Sequence, residues 1–272
     1  MLDNFLFLVH FFYMSLQDTV SEFQPITLKN MNAVKLLNRI DTKYVLSLEV
    51  LPLIFREIQS DYRSLDINKE RVFSYDSLYF DTPENSMYLA HHNGKLDRYK
   101  IRFRKYVSSN LCFLEIKHKL KGSRTVKDRI TVGCIETVLS DTSKDFIASN
   151  SPFKDGNLVP MIHTDFSRIT LVNKQLTERV TIDVALQFHK NGVTRTVGNI
   201  AIIELKRDGT AGHSNLIQAL EKYGVHPKGF SKYCIGRALT EPELKSNRFK
   251  ERILTINKIS NGNYSYRNHT HN

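Results

Sequence analysis

The strict alternation of cations with apolar residues in one stretch most constrains how this chain can fold. Residues 97–106 read DRYKIRFRKY. In a β-strand, side chains two residues apart lie on the same face. The stretch therefore predicts a strand with one apolar face and one cationic face, although a half-buried surface strand with its cations in water would look the same. The cations on the predicted face are Arg98, Lys100, Arg102 and Arg104.

The same alternation recurs elsewhere in the chain. Charged residues two apart stand opposite apolar residues in five further segments: 39–45, 113–119, 124–130, 178–184 and 201–206. Solvent exposure alone is a poor explanation for six strands of this kind. A barrel with a polar lumen and helices packed outside requires this pattern on every strand. We therefore expect the charged faces to meet across a lumen.

The whole chain shows more strand signals than helix signals. Strand-like alternation covers residues 39–47, 72–81, 97–107, 111–120, 124–132, 160–173, 177–189 and 198–207. Helical spacing is weaker and predicts helices at 48–60, 83–92, 135–140, 211–223 and 231–239. These elements predict an α+β fold, an antiparallel eight-stranded β-barrel or tunnel whose lumen is lined with Lys and Arg.

The net charge of +11 favours anionic partners, but its distribution matters more than its sum. From residue 245 onward, six Lys and Arg stand against one acid. We interpret residues 245–272 as a basic, disordered tail and residues 25–244 as one domain. Residues 1–24 form an apolar N-terminal extension.

The apolar run at 5–16 is too short for a bilayer span, which needs about 20 residues. It could associate peripherally with a membrane, but an extension preceding a true start at Met14 is an equally good interpretation. The three cysteines are far apart in the sequence and predict neither a disulfide framework nor a metal site. A reducing, cytoplasmic location fits them best.

Cations that face one another in a lumen repel, and burying them without partners is costly. A phosphate-rich anion would offset that cost, because Arg presents a planar fork to phosphate oxygens and Lys a point charge. Glu115, Asp183 and Glu204 lie on the same predicted face. They could hold a divalent cation together with phosphate oxygens, or simply pair with neighbouring cations. Both interpretations stay open for Glu115 and Asp183, and the metal is favoured for Glu204.

Other catalytic patterns are missing from the sequence. It has no Gly-rich phosphate loop and no readable Ser/His/Asp or Cys/His arrangement. Several short motifs nevertheless occur in a specific order. They are Arg39-x-Asp41-x-Lys43-Tyr44, Tyr79-Phe80-Asp81-Thr82, Gly94, Arg102-x-Arg104-x-Tyr106, Glu115-x-Lys117, Lys127-x-Arg129, Arg168, Glu204-x-Lys206 and Phe230-Ser231-Lys232-Tyr233-x-x-Gly236.

This ordered set, spanning residues 25–240, resembles the polyphosphate polymerase domain called VTC, from the vacuolar transporter chaperone complex. That domain belongs to the triphosphate tunnel metalloenzyme superfamily. The resemblance implies a tunnel of eight antiparallel strands. It also implies transfer of the γ-phosphate of ATP onto a polyphosphate chain, with Mn²⁺ or Mg²⁺ as cofactor.

Carried over by position, the resemblance also implies which residues line the tunnel. The implied catalytic residues are Lys43, Arg102, Arg104, Lys117, Lys127, Arg168 and Lys232. The phosphate-binding set adds Lys206 and Lys228, and Glu204 would hold the metal. One departure is His91, which stands where the eukaryotic polymerases have Arg. A neutral His there would weaken phosphate binding.

Two other functions remain open. A hydrolase could use the same tunnel to cleave tripolyphosphate or a nucleoside triphosphate, with Glu115 orienting water. A non-catalytic protein could bind polyphosphate or nucleic acid. Single-strand binders place aromatic rings on the same face as their cations. Tyr99 and Phe103 lie opposite the cations of their strand, so we do not expect nucleic acid as a partner.

Overall fold

The computed structural model describes residues 16–32, 39–121, 125–154, 156–209 and 212–261. The strands are β1 (Gln24–Ile26), β2 (Arg39–Ser47), β3 (Tyr62–Leu65), β4 (Val72–Asp81), β5 (Arg98–Tyr106), β6 (Leu111–Lys119), β7 (Thr125–Val132), β8 (Val159–Asn173), β9 (Glu178–Lys190), β10 (Val193–Val197) and β11 (Ile200–Asp208). The helices are α1 (16–21), α2 (Leu28–Asn32), α3 (Leu51–Ile58), α4 (Ser86–His92), α5 (Asp141–Asn150), α6 (Asn215–Lys222), α7 (Lys232–Thr240) and α8 (Lys250–Ser260).

All eight predicted strands are present, and they form one continuous antiparallel path in the order β2-β11-β9-β8-β4-β5-β6-β7. The short strands β1, β3 and β10 attach to this path. The α+β class is confirmed. The sheet is strongly curled, but within the described residues no hydrogen bonds join its edge strands β2 and β7 to close it.

The apolar faces of the strands form the convex side of the sheet and carry helices. Ile182 on β9 and Ile203 on β11 share a buried cluster with Ile54 of α3 and Leu220 of α6. A second cluster joins strands β4, β5 and β6 to Ile147 of α5. These helices cover the outside of the curl, as the alternating pattern predicts, and they leave the charged faces on its concave side.

Helices α7 and α8 pack instead against the concave side, at one end of the strands. There the charged pattern gives way to apolar residues, such as Val45 on β2 and Ile202 on β11. These residues cluster with Tyr233 of α7 and Ile256 of α8. The two helices therefore cover one end of the concave face with an apolar cluster. The charged residues lie in the middle of the strands.

The basic segment from residue 245, predicted to be a disordered tail, contains a helix in the part that the structure describes. Helix α8 lies in this basic segment, and Phe249, Ile256 and Ile259 are buried against the sheet. Three apolar side chains at helical spacing are enough to dock the helix, although seven of its eleven residues are polar or charged. Residues 262–272 lie outside the described part.

Helix α1, from the predicted N-terminal extension, packs against the main body of the protein. Leu16, Val20 and Phe23 are buried in the convex-side core. Most of the apolar run at 5–16 lies outside the described residues. No helix in the described part of the chain is long and apolar enough to cross a membrane.

The helix predicted at 135–140 is wrong. The helix lies one segment later, as α5, and Ser140 is its N-cap, with its side chain accepting a hydrogen bond from the Ser143 N–H at 3.3 Å. The Glu136 carboxylate in turn accepts the Ser140 N–H at 2.8 Å. The two side chains thus accept backbone N–H groups at the start of α5. The helix itself gives these N–H groups no acceptor.

Candidate active site on the concave face

The strand register places the charged residues beside one another on the concave face. Arg102 on β5 stands opposite Glu115 on β6, and Lys117 stands between Lys100 on β5 and Lys127 on β7. On the other wall, Glu204 stands opposite Lys43, and Arg168 stands opposite Asp183. The faces assigned from the alternation are therefore the faces that meet.

Glu115 is the centre of the first of three ion-pair clusters. The Arg102 guanidinium donates to Glu115 Oε2 from Nε at 2.9 Å and from Nη2 at 2.7 Å, and Lys127 Nζ contacts Oε1. The Glu115 side chain is only 1% exposed. Burial acts to raise its pKa, but Arg102, Arg104 and Lys127 hold the pKa well below its usual range. The carboxylate is therefore charged, and both its oxygens are engaged.

Asp183 is the centre of the second cluster. Arg168 donates to its two oxygens at 2.5 and 2.8 Å, a bidentate geometry. Lys232, from the first turn of α7, contacts Oδ2 as well. Burial acts to raise the pKa of Asp183, but these two cations hold it well below its usual range. For both Glu115 and Asp183, the structure thus favours pairing with cations over binding a metal.

Glu204 is the centre of the third cluster. Lys43 Nζ lies 3.1 Å and Lys206 Nζ 3.3 Å from the same oxygen, Oε1. Burial acts to raise the pKa of Glu204, and these two lysines lower it well below its usual value. Lys117, on the far wall, and Arg168 lower it further. Lys117 on β6 therefore acts on Glu204 on β11 across the concave face.

Three further cations make no ion pair among the residues that the structure describes. Arg104 is 5% exposed and donates from Nε to Ser77 Oγ at 3.3 Å, and Lys100 donates to Ser231 Oγ at 3.0 Å. Burial and the like charge of Arg102 lower the pKa of Arg104 to about 10. Lys117 is the third, and it stands within the row of lysines across β5, β6 and β7.

Partial enclosure in the concave face lowers the pKa of Lys117 to about 7. Glu204 opposes this shift, and the like charge of Lys100 adds to it. The residue itself remains exposed to solvent, so water screens part of the effect. Arg104, Lys100 and Lys117 all leave positive charge on the concave face that the described carboxylates do not match.

Aromatic rings that were not predicted from the sequence form a floor under these cations. Phe166 stacks on Tyr75 with ring centroids 5.2 Å apart. Arg104 lies 5.5 Å and Lys232 Nζ 4.2 Å from the Phe166 centroid. Phe166 is buried, so this ring is not open for stacking with a base. The signal was the alternation Tyr75-x-Ser77-x-Tyr79, which puts all three on the concave face of β4.

Tyr79 contributes a hydroxyl to the floor. Its oxygen accepts a hydrogen bond from Arg102 Nη1 at 3.0 Å. Burial acts to raise the pKa of Tyr79, but Arg102, Arg104 and Lys232 together lower it to about 8. This shift against the direction of burial reports how strongly positive the concave face is.

The motif around Lys232 fixes α7 to the concave face. Ser231 is the N-cap, and its hydroxyl accepts the Cys234 N–H at 3.3 Å. A Cβ at position 236 would lie 2.9 Å from Ile162 Cδ1, so Gly236 allows the helix to approach the sheet closely. Asp81 accepts the Met87 N–H and the Tyr233 hydroxyl, which ties α4 to α7.

Lys228 and His91 differ from the other predicted positions. The Lys228 backbone N–H binds Lys43 O at 2.7 Å, but its Nζ donates to Thr255 Oγ1 on α8 at 2.8 Å. The His91 Nδ1 is buried and has no hydrogen-bond partner among the described residues. Burial, with Lys100 and Arg98, lowers the pKa of His91 to about 2, so this imidazole is neutral.

The curled antiparallel sheet carries a cation-lined concave face, as the alternation of charged and apolar residues predicts. The sequence profile of the VTC domain matches residues 38–241. The chain belongs to the VTC domain family, and the match covers every residue of the three ion-pair clusters.

Several solved structures are similar to this chain at low identity. One is a candidate adenylate cyclase from Vibrio parahaemolyticus, with 10% identity, a TM-score of 0.46 and coverage of 73% of this chain and 97% of that one. Another is a candidate adenylyl cyclase from Hippeastrum described as having a dominant triphosphatase activity, with 16% identity, a TM-score of 0.48 and coverage of 76% and 99%. No curated protein matches the chain.

Proposed function

We propose that this chain transfers the γ-phosphate of ATP onto a polyphosphate chain bound along its concave face. The observation that carries the proposal is the set of three cations, Lys100, Arg104 and Lys117, that make no ion pair within the described residues. A bound polyanion would supply the missing charge. Membership of the VTC domain family supports the same substrate class.

The paired cations have a different part in the proposed site. Glu115 and Asp183 hold Arg102 and Arg168 at fixed positions through two hydrogen bonds each. Cations held in place before the substrate arrives stabilise developing charge without reorganising. Phosphoryl transfer depends mainly on such positioning and neutralisation. The unpaired cations would thus bind phosphate, and the paired ones would shape the field around it.

The proposed reaction needs no general base. A terminal oxygen of the polyphosphate chain, already anionic, forms a bond to the γ-phosphorus of ATP. The bond from that phosphorus to the β–γ bridging oxygen breaks, and its electron pair leaves with ADP. The charge on the transferred group spreads over its outer oxygens, which suits Arg104 with its planar fork.

Glu204 fits a divalent metal ion only together with phosphate. Lys43 and Lys206 approach its Oε1 within 3.3 Å, and Lys117 faces it from the other wall. An ion alone would be repelled by these lysines, whereas a metal ion that arrives on a triphosphate carries compensating negative charge. Glu204 would then hold Mn²⁺ or Mg²⁺, hard cations that take carboxylate and phosphate oxygens. When bound, the metal would neutralise charge on the phosphate oxygens.

Hydrolysis on the same site is the main alternative. It would need a group to orient the attacking water, and Glu115 was the candidate. Both Glu115 oxygens are taken by Arg102 and Lys127. This engagement favours transfer to a phosphate chain over transfer to water.

Product analysis after incubation with ATP and Mn²⁺ tests the proposal. We expect ADP and phosphate chains longer than three units from the wild-type protein. Glu204→Gln should lose most of this turnover, and Glu57→Gln, which removes a carboxylate paired with exposed Lys222, should retain it. Release of free phosphate without longer chains would contradict the polymerase and support the hydrolase.

A further inference from the structure

We propose that Asp76, His163, Asp165 and His189 form a binding site for a divalent transition-metal ion on the convex face of the sheet. The site is separate from Glu204 and does not depend on the proposed polymerase activity. It combines residues from three adjacent strands, β4, β8 and β9.

The ligand atoms already converge. One ligand atom from each of Asp76, His163 and Asp165 lies within 4.8 Å of the other two. His163 Nε2 contacts Asp76 Oδ1 and lies 3.9 Å from Asp165 Oδ1. His189 Nε2 lies 2.7 Å from Asp165 Oδ2. All four side chains are between a quarter and a half exposed, so an ion can enter from solvent.

Strand alternation puts this cluster on the face opposite the phosphate site. Asp76 lies between Tyr75 and Ser77, which both contact Arg104 on the concave side. In register, Asp76 stands opposite Asp165, and His163 stands opposite His189. The four side chains therefore point outward, beyond the reach of a phosphate chain on the concave face.

The arrangement is unfavourable without a cation. Two carboxylates directly opposite one another across an antiparallel pair destabilise it. Lys105 stands opposite Asp76 on the other side, but one lysine does not balance two carboxylates. A bound divalent ion would offset the repulsion between the two carboxylates.

His189 is oriented as a metal ligand would be. Its Nδ1 is bound to Thr194 Oγ1 on β10 at 2.9 Å, which leaves Nε2 directed at Asp165. Metal-bound histidines commonly use their second nitrogen in this way, and such partners fix the ring. The register shift between Asp165 and Ser167 lies next to the cluster, where a bulge can re-aim side chains.

The donor set indicates the class of ion. Two imidazole nitrogens with two carboxylate oxygens suit Zn²⁺, Co²⁺ or Ni²⁺, whereas Mg²⁺ prefers oxygen ligands alone. Zn²⁺ is therefore the probe of choice, and Co²⁺ adds a visible spectrum that reports its coordination.

Calorimetric titration of the metal-free full chain with Zn²⁺ tests the site. We expect the wild-type protein to bind one Zn²⁺ that His163→Gln loses or binds at least about tenfold more weakly. Thr194→Val should lower the Zn²⁺ affinity about 10–100-fold, because it removes the side chain that orients His189. The Co²⁺-loaded wild-type protein should show a visible absorption band, and His189→Gln should change the position or intensity of that band.

Two controls separate this site from other ligands. Glu204→Gln should keep the Zn²⁺ affinity, because Glu204 lies on the concave face. His226→Gln removes an exposed histidine outside the cluster and should also keep it. If wild type binds no Zn²⁺, or if His163→Gln binds it like wild type, the proposed site is wrong.

Discussion

Arg104 is a buried cation whose hydrogen bond goes to a neutral hydroxyl; Arg102 and Arg168 repel it, and Glu115 attracts it without forming an ion pair with it. Leaving a buried charge without an opposite charge destabilises a fold. The neutral Arg104→Met variant should therefore stabilise the unliganded protein by about 1 kcal/mol or more. It should also weaken tripolyphosphate binding by about 1.5–3 kcal/mol, the usual contribution of hydrogen bonds to charged groups.

Thermal unfolding and calorimetric titration with tripolyphosphate measure the two effects of Arg104→Met. Arg237→Met is a matched control, because Arg237 is also buried but makes a bidentate pair with Glu241. That variant should lower the unfolding temperature. A fall in the unfolding temperature of Arg104→Met, or unchanged binding, would show that Arg104 is structural.

Lys117 makes phosphate binding depend on pH. Its pKa in the folded protein is about 7, below the ordinary lysine value of 10.5. The side chain is therefore charged below pH about 7 and loses its charge as the pH rises through that value. We expect tripolyphosphate affinity to fall over this range. Between pH about 7 and 10.5 the Lys117 amine is protonated in the unfolded chain but mostly neutral in the folded protein. The free energy of unfolding of the unliganded protein therefore rises with pH over this range.

Lys117→Arg isolates this effect, because arginine keeps its charge throughout. Tripolyphosphate affinity is measured for wild type and variant on both sides of pH 7. The ligand ionises in the same way in both titrations, so the difference between the two affinities reports on Lys117. The variant should bind more tightly than wild type above pH 7. Parallel pH curves for the two proteins would exclude Lys117 from the site.

At the scale of elements, α8 shows how a few side chains fix a helix of mainly polar composition. Ile256 is 2% exposed and Leu254, two residues earlier, is 50% exposed. Ile256→Ala should cost about 2–4 kcal/mol of unfolding free energy, and Leu254→Ala about 0.5 kcal/mol or less. Urea denaturation measures both values. Equal, small losses would mean that α8 does not pack on the sheet in solution.

Strands could be predicted from the sequence better than helices. Residues 39–47 and 72–81 have the predicted bounds, because alternation of period two is visible over nine or more residues. Helix α5 was not predicted, because its first turn, which starts at Asp141, is polar. Helix α8 was missed because basic residues hide its apolar contacts.

At the scale of the whole molecule, the site depends on the curl of the sheet. Alternation placed Lys43, Lys117 and Glu204 on charged faces, but it could not show that β6 and β11 face one another. Pairing within the clusters also needs the register, which sets Arg102 against Glu115. Lys228 donates its Nζ to Thr255 on α8 and not to the charged clusters. Its orientation could not be predicted, because α8 was not predicted from the sequence.

The central claim is that the unpaired cations of the concave face bind a phosphate chain, and not the basic surface in general. Calorimetric titration with tripolyphosphate tests it most directly, using a triple variant with Lys100→Met, Arg104→Met and Lys117→Met. The control variant removes the same charge from the exposed C-terminal segment, with Lys245→Met, Lys250→Met and Lys258→Met. We predict that the first variant loses the binding site and the second retains it. Wild-type affinity in the first variant, or equal losses in both, would contradict this account.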